Sequence, residues 1–357
     1  MASQIETFGR TDSQPLVSII VLNYNGAGWL PKCFATIKTQ TIIQQIETIM
    51  VDNKSTDDSV AVARDLFKDF TLARIVRNDS NLGFCEGNNS GARAATGRYL
   101  FFLNNDTWME PECIEQLIKG TEKLGAVAST PYVLNYPDSS FQDFGFYGFD
   151  IFGLPSPSKP EASSRHIFIP GGCSYLIRTD VFNLVGMFDA DFFIYSDDAD
   201  LAWRLTIAGH RAAGIFEAKL HHRGAAGVNP AGGIETVEFR TTDRKRFLTN
   251  RNCLLTLLKN GQHLLLLPVM PLIALLFVES LVGAVILRRR SFVRASFWDP
   301  LVDCWRMRGK IREHRRAAAK FRVRSDFALL QFFRLKLNRW FEIKRLFRFG
   351  LPRVDAK

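Results

Sequence analysis

Between Leu16 and Val133 five short apolar runs alternate with four helical stretches, and no other feature constrains the fold as tightly. The runs LVSIIVL (16–22), IETIMV (46–51), TLARIVR (71–77), YLFFL (99–103) and AVASTPYV (126–133) have the length and composition of buried strands. Residues 28–39, 55–69, 84–96 and 111–124 read as helices, with Ser55 or Thr56 and Asn105 to Thr107 as expected caps and Pro111 in a first turn. Repeated strand–helix–strand units predict an α/β fold, a mostly parallel sheet with helices on both faces. Such sheets bind ligands outside the carboxyl ends of their strands.

Three of those ends are polar: Asn23-Tyr24-Asn25-Gly26, Asp52-Asn53-Lys54-Ser55-Thr56-Asp57-Asp58 and Asn104-Asn105-Asp106-Thr107. One such loop is an ordinary turn. Three on one sheet edge point to a site. No strand runs into G-x-G-x-x-G and no G-x-x-x-x-G-K-[ST] occurs, which disfavours a dinucleotide dehydrogenase and a P-loop NTPase. An edge of carboxylates and amides meets phosphate through a bridging hard cation, Mg²⁺ or Mn²⁺.

Four segments, VSIIVLNYNG, IMVDNKSTDDS, NLGFCEGNNSGARAATGRYLFFLNNDT and GMFDADFFIYSDDADLAWRL, together resemble the family 2 glycosyltransferases of the GT-A fold. The likeness runs from about Pro15 to Asn260 and is nearest to the rhamnosyltransferase-like branch that builds bacterial surface polysaccharides. It implies that Asp52 contacts the base or ribose of a nucleotide-diphospho-sugar donor, with Asn23, Asn25 and Asn53 beside it. NNDT stands where the family's D-x-D motif stands, so Asp106 is the implied cation ligand, with Asn105 beside it. Asn104 replaces the motif's first Asp; its amide can ligate Mg²⁺ or meet a ribose hydroxyl but adds no charge.

Asp197-Asp198 matches the family's paired-acid motif, whose second member is the general base. Chemistry supports this independently, because a carboxylate beside a like charge has a raised pKa suited to deprotonating a hydroxyl. The same residues also read as an acidic helix start capped by Ser196. HHRGAAG resembles the family's H-x-G-S segment, with Ala225 for the usual Ser, which implies His222 at the metal or diphosphate and Arg223 at phosphate. Residues 224–233 read as a mobile flap. Gly171-Gly172-Cys173 matches the small-residue loop beneath the acceptor, and Trp203 borders that acceptor or fills the core. The aromatics of Phe141 to Phe152 serve either ligand stacking or loop packing.

Charge divides the chain. Up to Leu287 there are 25 basic and 30 acidic residues; from Arg288 onward there are 21 and 6, a tail of +15. The apolar run 264–287 carries only Glu279, yet Pro268, Pro271 and Glu279 make it a poor straight span. A cytosolic catalytic body and a basic tail that also prefers the cytosol argue for a re-entrant or interfacial segment, with a single span as alternative and a buried core helix as the plain reading. The tail mixes arginine with Phe, Leu and Trp, a pattern that suits anionic lipid better than nucleic acid. Six scattered cysteines and a polar start without an apolar core fit a reducing compartment and no secretory signal. A mean hydropathy of −0.03 excludes a polytopic membrane protein.

The expected organisation is a GT-A domain (1–235), a connecting helix (236–263), an apolar membrane segment (264–287) and a basic amphipathic tail (288–357). The expected protein is a cation-dependent inverting transferase on the cytoplasmic face of the plasma membrane. Its expected donor is a rhamnose nucleotide, with UDP-hexose or UDP-galactofuranose as alternatives, and its acceptor a lipid-linked or polysaccharide hydroxyl. A non-catalytic protein binding membrane or nucleic acid through the tail is the rival class.

Overall fold

The computed structural model describes residues 4–10, 14–224, 240–264, 266–335, 337–338 and 353–355. An added edge strand, β1 (Gln4–Gly9), precedes the expected β2 (Val17–Asn23), β3 (Ile46–Asp52), β4 (Leu72–Arg77) and β5 (Tyr99–Asn104). Short β6 (Thr107–Met109) leads to the fifth expected strand, β7 (Ala128–Asn135). Then come β8 (Phe141–Asp143), β9 (Phe146–Phe149), β10 (Pro155–Pro157), β11 (Arg165–Ile167), β12 (Ser174–Arg178) and β13 (Ala212–His222). The helices between them are α1 (Leu30–Lys38), α2 (Ser59–Phe67), α3 (Gly83–Ala94), α4 (Cys113–Lys123), α5 (Thr179–Leu184) and α6 (Asp197–Ile207).

The main sheet runs β1-β4-β3-β2-β5-β12-β7-β13-β11, with β6 on β13 and β8 on β7. Strands β4, β3, β2 and β5 are parallel, as expected, and so are β7 and β13. The other six pairings are antiparallel, because β12 enters between β5 and β7 from the opposite end and β1, β6, β8 and β11 add as returning edges. The sheet is the expected α/β sheet, with the longest ladders parallel and antiparallel strands added to it. Alternate residues feed two apolar layers: Val17, Ile19 and Val21 pack with Phe34 and Phe67, while Ile20 and Val51 face Cys85 and Phe102. Burial on both faces, about 1.5–3 kcal/mol for each large side chain, makes these strands continuous apolar runs.

The expected caps do not form. α2 begins only at Ser59, because Ser55 Oγ receives Asn25 N–H (3.0 Å) and Thr56 N–H goes to Asn25 Oδ1 (2.7 Å). Asn105 to Thr107 turn into β6, and Pro111 lies outside α4, whose capping position is Glu112.

Beyond β13 the connecting helix expected over 236–263 is shorter. Arg240–Thr242 forms β14, paired with β15 (Arg353–Asp355), and α7 spans Asp243–Asn260. α8 (Val269–Ile286) runs along α7 and buries Leu272, Leu276 and Ser280, a stripe at four-residue spacing. Only 17% of it is buried, which excludes a core helix. Residues 291–306 fold back as α9 (Ser291–Val293), a π-turn and α10 (Asp299–Arg306), and Arg289 pairs with Asp243 at 2.8 Å.

The basic tail does not stand free. In α11 (Arg308–Phe321), Arg315 Nη1 donates to Leu258 O at 2.8 Å, and Arg322 donates to Asn260 O, both near the carboxyl end of α7. Phe332 stacks on Phe168 at 4.7 Å, and Asn338 N–H donates to Asp150 Oδ2 at 2.9 Å. Residues 225–233 of the expected flap and 339–352 of the tail lie outside the described residues.

Candidate active site

Strand register sets the first row of the site. Asn23 lies opposite Asp52, and Leu22 opposite Asn104, so all three loop starts share the carboxyl edge. The loops then hold one another. Asn105 Nδ2 donates to Asn23 Oδ1 (2.8 Å), Asn23 Nδ2 to Ser55 Oγ (3.2 Å), and Ser55 N–H to Asp52 Oδ1 (3.2 Å). A cleft of about 340 Å³ opens here, lined by Tyr24, Trp29, Asn53, Asn104, Asn105 and Asp106 among others, a size that suits a small-molecule ligand. A second hollow of about 420 Å³ adjoins it over Asp52, Lys54, Asp57 and Arg77. Asn53, expected to contact donor, instead spends its amide on structure. Its Nδ2 donates to Asn81 Oδ1 and Gly83 O (3.0 Å each), and its Oδ1 accepts from Leu82 N–H and Asn78 Nδ2 (3.1 Å each).

Asp106 and His222 meet because β6 pairs antiparallel with β13, placing His222 opposite Thr107. His222 Nε2 lies 3.2 Å from Asp106 Oδ1, without hydrogen-bond geometry and with no other partner among the described residues. The other ring nitrogen, Nδ1, is tied to Gln142 Oε1 at 2.9 Å, which fixes the ring. Burial alone would lower the His222 pKa, but Cys173 and the Asp106 carboxylate push it up to about 10. Burial would raise Asp106, and His222 with two backbone N–H groups outweighs it, holding the carboxyl below its ordinary value. The ring proton paired with Asp106 here would be released on cation binding, which leaves a carboxylate oxygen and an imidazole nitrogen as two convergent ligand atoms. Arg223 N–H donates to Asp106 O at 3.0 Å, and its guanidinium lies 5.9 Å from the Trp29 ring centre.

The acid pair begins α6. Asp197 is buried and Asp198 half-buried, with Ala199 N–H donating to Asp198 Oδ1 at 2.7 Å. Burial and then the Asp198 charge raise Asp197; burial, together with Asp143, raises Asp198 to about 6. The pair therefore holds a proton more readily than two ordinary carboxylates would. Ser196 occupies the capping position in a left-handed conformation, but its side chain makes no cap bond, contrary to expectation.

One short segment joins the two halves of the site. Cys173 O accepts Asn104 N–H at 3.0 Å beside the cation ligands, while Gly172 faces Asp198. A Cβ on Gly171 would collide with Asp143 Oδ2, so a larger residue there would displace that carboxylate. Asp143 was not singled out by the sequence. Burial raises its pKa, and it and Gln142 reach the site from the aromatic insertion. The aromatics themselves serve packing: Phe144 and Phe149 are buried. Trp203 lies in the core, 4.8 Å from Phe149 and 5.3 Å from Phe168, and does not border an acceptor. Asp189, Asp200 and His314 also converge, but Lys259 Nζ is 2.5 Å from Asp189 and Arg204 Nη2 2.6 Å from Asp200, so the protein's own cations fill that cluster.

Residues 18–186, from the first parallel strand to just before the acid pair, match the model of Glycosyl transferase family 2. This segment is a family 2 glycosyltransferase domain. GlyG of Streptococcus pneumoniae serotype 4, a glycosyltransferase, is 30% identical over 132 residues, covering 37% of this chain and 43% of that protein. The O-antigen biosynthesis protein RfbC of Myxococcus xanthus is 27% identical over 229 residues, covering 59% of this chain and 18% of that protein. The chain spans less than half the length of these relatives. In three dimensions it is similar to GalNAc-T7, solved with UDP, GalNAc and Mn²⁺, at a TM-score of 0.63 and 13% identity, covering 97% of this chain and 60% of that one. At that identity the likeness concerns the fold, and it extends past the glycosyltransferase domain into the C-terminal helices.

Proposed function

We propose that this chain transfers a sugar from a nucleotide-diphospho-sugar to a hydroxyl of a glycan or lipid-linked acceptor, with inversion at the anomeric carbon. The observation that carries the reading is the segment Gly171–Cys173, which runs from the Asp106–His222 pair to Asp198. On this reading the segment lies between the diphosphate, beside Asp106 and His222, and the general base, Asp198.

Asp52 and the Asn23–Asn25 loop would receive the nucleoside, with Asn104, Asn105 and Arg223 toward the diphosphate. Asp106 and His222 would hold a divalent cation, which when bound neutralises charge on the leaving diphosphate. Asp198 accepts the proton of the acceptor hydroxyl as its oxygen bonds to the anomeric carbon. The bond to the diphosphate oxygen breaks, and its electron pair leaves with the nucleoside diphosphate. Burial raises the pKa of Asp197, which eases the build-up of negative charge beside the base. The kinship with RfbC, an O-antigen biosynthesis protein, supports surface polysaccharide as the product. The resemblance of the motifs makes dTDP-rhamnose the first donor to test, with UDP-hexoses and UDP-galactofuranose after it.

The outward face of α8 supports action at a membrane. Met270, Val278, Val282 and Val285 are each at least half exposed, and Trp298 and Trp305 extend the apolar surface. α8 lies antiparallel along the charged α7, which favours an interfacial seat over a span. A panel of nucleotide sugars with Mg²⁺ or Mn²⁺ tests the donor. A binding donor raises the melting temperature with metal and not with EDTA, because binding adds RT ln(1 + [L]/Kd) to the free energy of unfolding. No stabilisation by any donor would count against the reading.

A further inference from the structure

Just before α6 the backbone leaves the common conformations. Phe193 (φ 63°, ψ −58°) centres a γ-turn closed by Ile194 N–H to Phe192 O at 2.7 Å, a rare geometry. Tyr195 (φ 75°) and Ser196 (φ 60°) follow, also at positive φ, and none of the three is glycine. Such a run persists only where its surroundings over-determine it.

The restraint comes from α7, outside the residues that match the family. Asn252 is fully buried there, and its Nδ2 donates to three loop carbonyls: Phe192 O (3.0 Å), Ile194 O (2.9 Å) and Tyr195 O (2.8 Å). Its Oδ1 accepts from Arg251 Nε at 2.9 Å. Arg251 in turn donates to Asp191 O at 2.7 Å and pairs with Asp303 of α10 at 3.0 Å. From the other side Phe84 N–H donates to Phe193 O at 2.6 Å, and the Phe193 ring lies against Gly83, where a Cβ would clash. Two helical turns further along α7, Lys259 holds Asp189, and Asn260 Nδ2 donates to Asp200 Oδ1 at 2.7 Å. The same face of α7 thus grips the loop before the acid pair and the first turn that carries it.

We infer that Asn252, seconded by Arg251, is a positioning residue for the Asp197–Asp198 pair, so that the C-terminal helices set the geometry of transfer. Asn252 reaches only loop carbonyls and Arg251 in these bonds; it acts by fixing the residues from which α6 starts. If Tyr195 and Ser196 relaxed to negative φ, the first turn of α6 would swing and carry the Asp198 carboxylate with it. A displacement of about 1 Å at a reacting group costs on the order of 100-fold in rate. The inference rests on Asp198 as the base.

The test uses the full chain with Asn252→Ala, with Asp303→Asn as a gentler variant at the half-exposed end of the relay. Leu255→Ala, a core truncation on the same helix, is the purely structural comparison. Hydrogen exchange of amides 193–199 is read beside kcat, donor KM and the pH profile of transfer. Asn252→Ala is expected to speed loop exchange at least ~10-fold, to lower kcat about 100-fold with KM nearly unchanged, and to move the acid limb. Asp303→Asn shifts each in the same direction by less. Leu255→Ala lowers the melting temperature and leaves the acid limb in place. The inference is overturned if Asn252→Ala matches Leu255→Ala in loop exchange, or if its loop loosens while kcat and acid limb stay unchanged. Should Asp198→Asn retain turnover, the base reading fails by itself. Loop exchange in Asn252→Ala then still decides whether Asn252 holds the segment.

Discussion

At the scale of single residues the site depends on groups whose ordinary behaviour has been shifted. His222 Nε2 and Asp106 Oδ1 lie 3.2 Å apart, two ligand atoms that converge on a cation once its binding releases the ring proton. His222→Ala is therefore expected to raise the Mn²⁺ concentration for half-maximal activity at least ~10-fold, read by titrating metal into EDTA-treated protein. An unchanged requirement would remove His222 from the cation site. Asp197 supports a stability prediction. Its folded pKa, about 8, lies above its unfolded value of 3.8. Between those values the folded state binds the extra proton, so this group's contribution to stability falls as pH rises. Asp197→Asn removes that dependence. The variant should gain on wild type from pH 5 to pH 8 by about 1 kcal/mol or more, seen as a melting temperature higher by about 2 °C. A gain that grows toward acid pH would contradict the assignment.

At the scale of elements, what was legible in the sequence and what was not separate by range. Strands β2 to β5 are buried on both faces by local apolar runs, so they appear within a residue or two of expectation. The loops at their carboxyl ends follow from the same reasoning, and Asn23, Asp52 and Asn104 do share one edge. Asp143 and Gln142 were not legible, because they lie in an aromatic insertion whose path depends on β8 pairing with β7. The tail arginines misled in another way. Composition reads them as a surface for lipid, whereas Arg315 and Arg322 are spent on carbonyls near the end of α7. Among the described residues, the outward side of α8 offers an apolar face, and tail arginines such as Arg306, Arg308 and Arg312 stay exposed. Val278, Val282 and Val285 are 55%, 50% and 78% exposed, so changing all three to Ser should leave stability nearly unchanged. Binding to vesicles containing anionic lipid should fall more than ~10-fold in a flotation assay. Undiminished binding would exclude α8 as the docking surface.

For the whole molecule, the net charge of +10 describes no single surface. The sheet edge collects carboxylates suited to a cation and a diphosphate, and the C-terminal basic residues divide between internal caps, ion pairs with Asp189 and Asp191, and exposed positions. The family-matched segment ends at residue 186, before the acid pair, and the helices that steady that pair come later still. On the proposed reading, catalysis would be a property of the sheet and the C-terminal helices together. The most direct measurement is metal-dependent sugar transfer by Asp198→Asn with the donor that stabilises the wild-type protein. Wild type should lose activity tenfold per pH unit below about pH 6, as Asp198 becomes protonated. Asp198→Asn should bind donor as wild type does and lose at least ~10²-fold in kcat at pH 7.5. Turnover close to wild type with the same acid limb would contradict the account.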